Sequence, residues 1–120
     1  MEGRVAMRFV EILRDGQLLT RARLCDTFLS ESLGYMFRKP SGPLFFRLPY
    51  ESRILAGIHT FFVLFPLQAI WLDGSLRVVD VKKAKPWGLY WPRRAARYLV
   101  ETPSQDALPV EVDDTLEVRF

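Results

Sequence analysis

The sequence has very little of the chemistry that metal sites and disulfide frameworks require. Its 120 residues include one cysteine, Cys25, and one histidine, His59. A single cysteine cannot form an internal disulfide, and a structural zinc site needs about four cysteine or histidine ligands. Carboxylates alone would at most bind magnesium or calcium weakly. We therefore expect no metal, no cofactor and no redox chemistry.

Common nucleotide-binding and hydrolase signatures are also missing. The chain contains no glycine-rich loop followed by lysine, no GxGxxG and no GxSxG. Residues 1–4 are not followed by the apolar run of a signal peptide, which argues against a secretory signal. With the free cysteine, this favours a soluble protein in a reducing cytoplasm.

The longest uncharged run spans residues 54–72, between Arg53 and Asp73. A membrane-spanning helix needs about 20 apolar residues, so this run has to be weighed as one. Pro66 interrupts it, and the aromatic and β-branched residues before Pro66 favour a strand. We expect two buried strands divided at Phe65–Pro66, and no membrane partner.

The residues that are present favour a β-rich fold. Hydrophobic residues make up 49% and aromatics 13%, enough for one packed core in a single domain spanning residues 1–120. Eight prolines and seven glycines indicate many turns. Apolar and polar residues alternate in short segments, two of which meet at Asp15-Gly16 and two at Asp73-Gly74, the dipeptide typical of hairpins. We predict a mainly β fold, a small antiparallel barrel or sandwich with one short helix near residues 26–34.

The predicted elements follow from these patterns. A strand is expected to end near Leu13, and the helix begins at an Asp26 or Thr27 cap. Irregular loops are predicted over residues 82–92 and 103–109. The other predicted strands span residues 17–24, 44–48, 58–65, 67–72, 75–81, 96–100 and 115–120.

Charge is distributed unevenly although the net charge is only +3. Residues 77–97 contain seven basic residues against one acid, and residues 98–120 contain six acids against one arginine. These stretches either form two faces of opposite potential or pair with each other. The sequence leaves both arrangements open.

The segment richest in binding chemistry spans residues 82–97, where six cations surround Trp87, Tyr90 and Trp91. Cations and aromatic rings together bind phosphates and stack on bases or sugars. The alternative is that the tryptophans cover the core while the cations stay solvated. Loops carry binding sites more often than strands do, which supports the binding interpretation. The sequence leaves both interpretations open.

Several motifs resemble one known family in the same order. Residues 34–38, Gly-Tyr-Met-Phe-Arg, resemble the Gly-Leu-Met-Phe-Arg signature of the uncharacterised family called domain of unknown function 192. Residues 58–67 resemble its central motif in the form found in archaeal members. The Leu72-Asp73-Gly74 hairpin, Lys85-Pro86-Trp87 and residues 96–101 follow in order, so the resemblance covers about residues 24–116.

This resemblance implies a fold but no activity. It implies a small β-barrel or sandwich with one helix, and a polar cluster around Arg38 and the strand of His59. Gln68 stands where the family usually has aspartate, which weakens any catalytic proposal built on an acid there. Asp113-Asp114 replaces the usual Gly-Asp before the last strand.

We expect a non-enzymatic domain that binds a small anionic or carbohydrate-like molecule. The candidate ligand-binding residues are Arg38, His59, Gln68, Trp87, Trp91, Arg93 and Arg94. In this hypothesis the three arginines hold an anionic group, the two tryptophans give a flat apolar contact, and the histidine and glutamine orient polar groups. Two alternatives stay open: a nucleic-acid-binding module that uses residues 82–97, and a hydrolase whose carboxylates converge only in the fold. The acidic C-terminal stretch argues against the nucleic-acid partner.

Overall fold

A computed structural model describes residues 8–25, 35–36 and 39–120. This part of the chain is mainly β, as predicted, with one 3-10 turn at Ser104–Asp106. The predicted helix near residues 26–34 lies outside the described residues. The strands are β1 Phe9–Arg14, β2 Gln17–Cys25, β3 Leu44–Ser52, β4 Ile58–His59, β5 Leu67–Leu72, β6 Val78–Ala84, β7 Leu89–Tyr90, β8 Ala96–Pro103 and β9 Glu117–Arg119.

Seven strands form one large sheet in the order β6-β5-β8-β3-β2-β1-β9, and β4 pairs with β7 in a separate small sheet. All neighbours in the large sheet are antiparallel except β2 and β3, which run parallel from Arg23 opposite Leu44. In the described residues the large sheet stays open, with β6 and β9 at its edges. The predicted β class is confirmed, in the form of a large mixed sheet with a small second sheet.

Both predicted hairpins are present, but β6 begins only at Val78, so residues 73–77 rather than Asp73-Gly74 alone connect β5 to β6. Asp15 and Gly16 have φ angles of 52° and 79°, and they join β1 to β2. Positive φ at both central residues is the conformation that the favoured two-residue hairpin turn requires. In the β5–β6 hairpin, the Asp73 carboxylate accepts backbone N–H bonds from Ser75 and Arg77. Local turn chemistry therefore fixes both connections.

The interior strand β5 contributes side chains to two apolar clusters, one on each face of the sheet. Ala69 and Trp71 pack in the first cluster, and Ile70 and Leu72 in the second. This alternation is the period of two expected of a strand covered on both faces. Residues of the 56–65 segment complete the first cluster, and residues 108–118 complete the second. The two covering segments therefore lie on opposite sides of the sheet.

The prediction for residues 54–72 is partly confirmed. A strand begins at Leu67, directly after Pro66, as expected. The prediction of a buried strand over residues 58–65 is wrong, because β4 contains only Ile58 and His59. The chain turns at Phe62, whose φ of 62° is incompatible with a strand. In the described ranges 8–25, 35–36 and 39–120, no helix is long and apolar enough to cross a membrane.

Other boundaries also differ from the prediction. The predicted loop over residues 82–92 is wrong in part, since β6 continues to Ala84 and β7 occupies Leu89–Tyr90. The last strand is limited to Glu117–Arg119. Its expected first residues pair with the residues just before β6 instead: Thr115 forms an isolated bridge with Arg77, and the Leu116 N–H donates to the Leu76 carbonyl at 2.9 Å.

Candidate functional site

Strands β4 and β7 form the centre of a short antiparallel ribbon. Ile58 pairs with Tyr90, and His59 pairs with Leu89. The same register continues beyond the two strands, since the Thr60 N–H donates to the Gly88 carbonyl at 2.9 Å. Residues 57–61 therefore lie opposite residues 91–87, and successive side chains point to alternate faces.

The inner face of this ribbon is fastened to the core. Ile58 and Tyr90 pack against the first cluster, and Thr60 is completely buried. The Thr60 hydroxyl donates to the Lys85 carbonyl at 2.6 Å and accepts the Gly88 N–H at 2.7 Å. One buried threonine thus holds the loop that carries Trp87 against the first strand of the ribbon.

The outer face of the ribbon is aromatic and exposed. We define the aromatic platform as His59, Phe61, Phe62, Trp87, Leu89 and Trp91, all of which are exposed to solvent. The His59 and Phe61 rings stack at 5.2 Å between centroids, and the Phe61 and Trp87 rings lie 6.2 Å apart. The Phe62 ring meets the Trp87 ring edge to face at 4.8 Å. Four of these side chains, those of His59, Phe61, Phe62 and Trp87, therefore form one connected ring cluster.

Two residues of the platform have strained backbones. Phe62 has a φ of 62° and Trp87 a φ of 63°, in the left-handed region that bulky residues rarely adopt. Such conformations cost on the order of 1–3 kcal/mol each, and they cluster at functional sites. Trp87 is also 58% exposed, so burial of its ring does not account for that cost. These two backbone conformations place the touching rings of Phe62 and Trp87 at the surface.

At the other end of the platform, the indole of Trp91 lies directly against the backbone of Gly57. A Cβ atom added at Gly57 would overlap the pyrrole ring of that indole. The Lys82 ammonium donates to the Trp91 carbonyl at 2.6 Å and fixes the backbone there. Glycine at residue 57 is therefore what lets Trp91 lie flat on the ribbon.

The only histidine of the chain, His59, contributes a polar group to this surface. Its Nδ1 accepts the Phe61 N–H at 3.2 Å, so the neutral ring carries its proton on Nε2. This side chain is exposed and adjoins both Phe61 and Leu89. Nε2 is therefore available to donate to a ligand oxygen beside the rings.

The structure brings three of the predicted residues together and separates Gln68 from them. His59, Trp87 and Trp91 share the outer face of the ribbon, which covers the first cluster. Gln68 lies on the opposite face of the sheet, where its amide donates to the Leu108 carbonyl at 2.9 Å and accepts the Leu108 N–H at 2.7 Å. Gln68 therefore fastens the segment after β8, beside a groove of about 260 Å³.

The two predicted arginines in this stretch each face a carboxylate. Asp80 is buried, accepts the Arg93 N–H at 2.9 Å and lies 3.7 Å from the Arg93 guanidinium. The Arg94 guanidinium lies 4.0 Å from Asp113, which also pairs with Arg77 at 3.1 Å. Arg38 lies outside the described residues.

These contacts bear on the uneven charge distribution. Arg77 and Arg94 of the basic stretch pair with Asp113 of the acidic stretch. This agrees with the interpretation in which the two stretches pair with each other. Nearby, Asp114 bonds Arg14 at 2.9 Å. The pKa of the Asp114 carboxyl is lowered mainly by the hydrogen bond that the Glu111 N–H donates to it, and further by Arg14. The two charged stretches are therefore not simply separate faces.

Glu101 was not among the predicted site residues, although it is the buried acid of the central strand β8. It is 7% exposed and pairs in register with Ala69 and Leu44. Burial raises the pKa of its carboxyl to about 7. The neighbouring Tyr35 hydroxyl donates to the Gly42 carbonyl at 2.6 Å, and burial, then Glu101, raise the pKa of that hydroxyl. The sequence signal was an acid that directly follows the apolar pair Leu99 and Val100 at the end of a predicted strand segment.

Phe61 and Phe62 were also missed as surface residues. The uninterrupted apolar run over residues 61–65 indicated a strand buried on both faces. Their exposure depends on the turn at Phe62 and on pairing with residues 87–91, more than twenty positions away. Among the described residues, no group of three or more histidine, cysteine, aspartate or glutamate side chains lies close enough to hold a metal ion.

Fold and surface together define a mainly β domain with an exposed aromatic ribbon. The family model of domain of unknown function 192, described as "Uncharacterized ACR, COG1430", matches residues 10–119. The chain belongs to this family. UPF0127 protein PF1050 of Pyrococcus furiosus is 40% identical over 110 residues, which cover 90% of this chain and 95% of that protein. UPF0127 protein PH1112 of Pyrococcus horikoshii is 49% identical over 81 residues, 68% of this chain and 70% of that protein.

Two solved structures share the fold. One is a protein from Sinorhizobium meliloti described as a candidate transcription regulator, with a TM-score of 0.78, 17% identity and 98% of both chains covered. The other is a protein of unknown function from Novosphingobium aromaticivorans, with a TM-score of 0.73, 18% identity, and 92% and 84% of the two chains covered. At these identities the likeness concerns the fold alone.

Proposed function

We propose that this protein is a non-enzymatic binding domain whose aromatic platform stacks against the ring face of a sugar-like ligand. The observation that carries the proposal is the pair Phe62 and Trp87, two touching aromatics held at the surface in strained backbone conformations. Neither residue belongs to the two apolar clusters of the core. Aromatic rings held at the surface suit the apolar face of a sugar ring, because flat aromatic surfaces give large contact areas with little loss of side-chain entropy.

Polar groups beside the rings complete the requirements of a sugar ligand. The Nε2 atom of His59 supplies a donor for a hydroxyl oxygen. Leu89 lies next to it and keeps the surface between the two tryptophans apolar. This combination of flat apolar contact and a few polar groups is typical of small-molecule sites.

The cations around the platform are only partly paired with carboxylates. Of the six cations between residues 82 and 97, Lys82, Arg93 and Arg94 have acidic or carbonyl partners. Arg97 donates to the Leu48 carbonyl. Only Lys83 and Lys85 lack a hydrogen-bonded or ionic side-chain partner among the described residues. In the described part of the chain, only Asp80 and Asp113 supply negative charge to these cations, so a sugar that carries a phosphate group is also compatible with the site.

The proposal is tested by isothermal titration calorimetry with neutral sugars, sugar phosphates and single-stranded RNA. We expect neutral sugars to bind, and Trp87→Ala to lower the affinity about tenfold, the loss of roughly 1.4 kcal/mol of stacking. Tyr50→Ala is the matched control, because Tyr50 is as exposed as Trp87 but lies on β3.

Two results would contradict the proposal. One is that no sugar binds. The other is that only RNA binds, with an affinity that falls steeply as salt is added, since this is the signature of phosphate contacts. The second result would support the nucleic-acid alternative instead.

A further inference from the structure

We infer that the groove beside Gln68 is a second binding site, and that it takes a small oxyanion of the phosphate type. The site is built on the face of the sheet opposite the aromatic platform, so the inference does not depend on the proposed function. Pockets for drug-sized ligands measure about 300–1,000 Å³, and this groove of about 260 Å³ suits a smaller molecule. Its lining residues are Gln68, Val81, Lys82, Lys83, Ser104 and Ala107.

Strand pairing places three polar side chains in one row across the sheet. Gln68 of β5 pairs with Thr102 of β8 on one side and with Lys83 of β6 on the other. Directly paired residues project to the same face, with Cβ atoms about 4.5–5.5 Å apart. The Ser104 N–H donates to the Pro66 carbonyl at 3.0 Å, so the pairing continues beyond the end of β8. Ser104 therefore follows Thr102 on the same face.

Two hydroxyls next to this row are buried and lack a hydrogen bond. Thr102 is completely buried, and neither its Oγ1 nor the Ser104 Oγ has a partner within the described residues. Such a hydroxyl lowers stability, so folded proteins rarely keep one without a reason. Because no hydrogen bond fixes the Ser104 hydroxyl, it is free to turn toward the groove that this residue borders.

The polar groups of the groove are donors, and no acidic side chain of the described residues lines it. The Lys83 ammonium is exposed, whereas that of Lys82 is held by the Trp91 carbonyl. Gln68 exchanges two hydrogen bonds with the Leu108 backbone, which fixes its amide and leaves one N–H over. Ammonium, amide and hydroxyl donors together suit a ligand that is negatively charged and rich in acceptors. A phosphate group is both.

The test follows the binding of inorganic phosphate to the full chain by ¹H–¹⁵N NMR, with the ionic strength held constant. We expect saturable shifts of the Gln68 side-chain amide and of the Ser104 and Ala107 backbone amides. Lys83→Gln should lower the affinity at least about tenfold, because hydrogen bonds to charged groups are the stronger ones. Lys83→Arg keeps the charge and should retain most of the affinity. Lys39→Gln is the matched control, since Lys39 is also exposed but does not line the groove.

The two hydroxyls are tested by Ser104→Ala and Thr102→Val. Each variant removes a buried hydroxyl that has no partner in the described residues, so the Tm without phosphate should stay level or rise. The phosphate affinity should fall about threefold or more in each. Ser75→Ala, at an exposed serine in the β5–β6 connection, should change neither quantity. A lower Tm with unchanged affinity would show that the hydroxyls serve only the fold, and it would contradict their part in the site.

Other results would overturn the whole inference. Shifts that grow without saturating, or equal losses for Lys83→Gln and Lys39→Gln, would show only a general attraction of the ion to a basic protein. Acetate that binds as tightly as phosphate would show that the site does not select the phosphate type. Glucose 6-phosphate identifies the source once phosphate binds: tighter binding than phosphate supports a phosphorylated small molecule, and weaker binding supports the free ion.

Discussion

Replacement of the buried acid by its amide, Glu101→Gln, is predicted to change how stability depends on pH. Glu101 lies on the central strand β8 and is 7% exposed. Burial raises the pKa of its carboxyl in the folded protein from 4.5 to about 7. The folded chain therefore holds a proton between these pH values where the unfolded chain has lost it. Glutamine keeps the shape of the side chain and removes the titration.

The sign and size of the effect follow from linkage. Since the folded state binds more protons, the free energy of unfolding falls as the pH rises from about 4.5, and the full loss is reached above about pH 7. Each tenfold change in proton affinity is about 1.4 kcal/mol, so the loss in the wild-type protein approaches about 3 kcal/mol. The amide variant lacks this loss, because its side chain does not ionise.

The assay is guanidinium unfolding of both proteins at pH 4, 6 and 8. We expect the stability of Glu101→Gln relative to the wild type to increase by about 2–3 kcal/mol from the lowest pH to the highest. Glu111→Gln is the control, since it makes the same change at an exposed glutamate outside the core. Parallel pH profiles for wild type and Glu101→Gln would refute the reasoning, as they would show that Glu101 does not titrate within the folded core.

Three further substitutions test the ribbon and the segment after β8. Gly57→Ala is expected to displace the Trp91 indole and shift the tryptophan emission to the red; an unchanged spectrum would contradict the contact with Gly57. Gln68→Ala removes both hydrogen bonds to Leu108 and should lower the free energy of unfolding by about 1–3 kcal/mol. Faster exchange of the Leu108 amide would accompany that loss, and unchanged protection would count against it. Trp87→Gly relieves a left-handed backbone that costs about 1 kcal/mol or more, so we expect an unchanged or raised Tm together with lost sugar binding. A large fall in Tm would show that the ring, rather than the backbone strain, dominates there.

The parts of the fold that are determined by residues adjacent in sequence were predictable. Asp15-Gly16 forms a hairpin because a two-residue Asp-Gly turn needs only its own backbone conformation and a strand on each side. The β5–β6 connection spans residues 73–77, and the Asp73 carboxylate holds it through bonds within the same loop. Pro66 marks the boundary before β5 for a similarly local reason, the missing N–H of its ring. The parallel pairing of β2 with β3 has no such local signal and was not predicted.

The site depends on contacts that are distant in sequence, and it was predictable only in part. Trp87 and Trp91 were selected from their surroundings of cations, and His59 from its motif. That they share one face follows from the register of residues 57–61 with residues 87–91, which the sequence does not show. Gln68 was grouped with them because it is near in sequence, yet strand alternation places it on the other face of the sheet. Its partner Leu108 is 40 positions away.

The central claim is that the aromatic platform is a sugar-binding surface, and the three tryptophans of the chain allow a direct test. Two-dimensional NMR of the indole N–H groups gives one signal for each tryptophan during titration with a cello-oligosaccharide. We predict that the signals of Trp87 and Trp91 shift progressively and saturate together. The signal of Trp71 should stay in place, because this indole is buried and donates to the Ala56 carbonyl at 2.8 Å. Unchanged Trp87 and Trp91 signals at saturating sugar would contradict the claim.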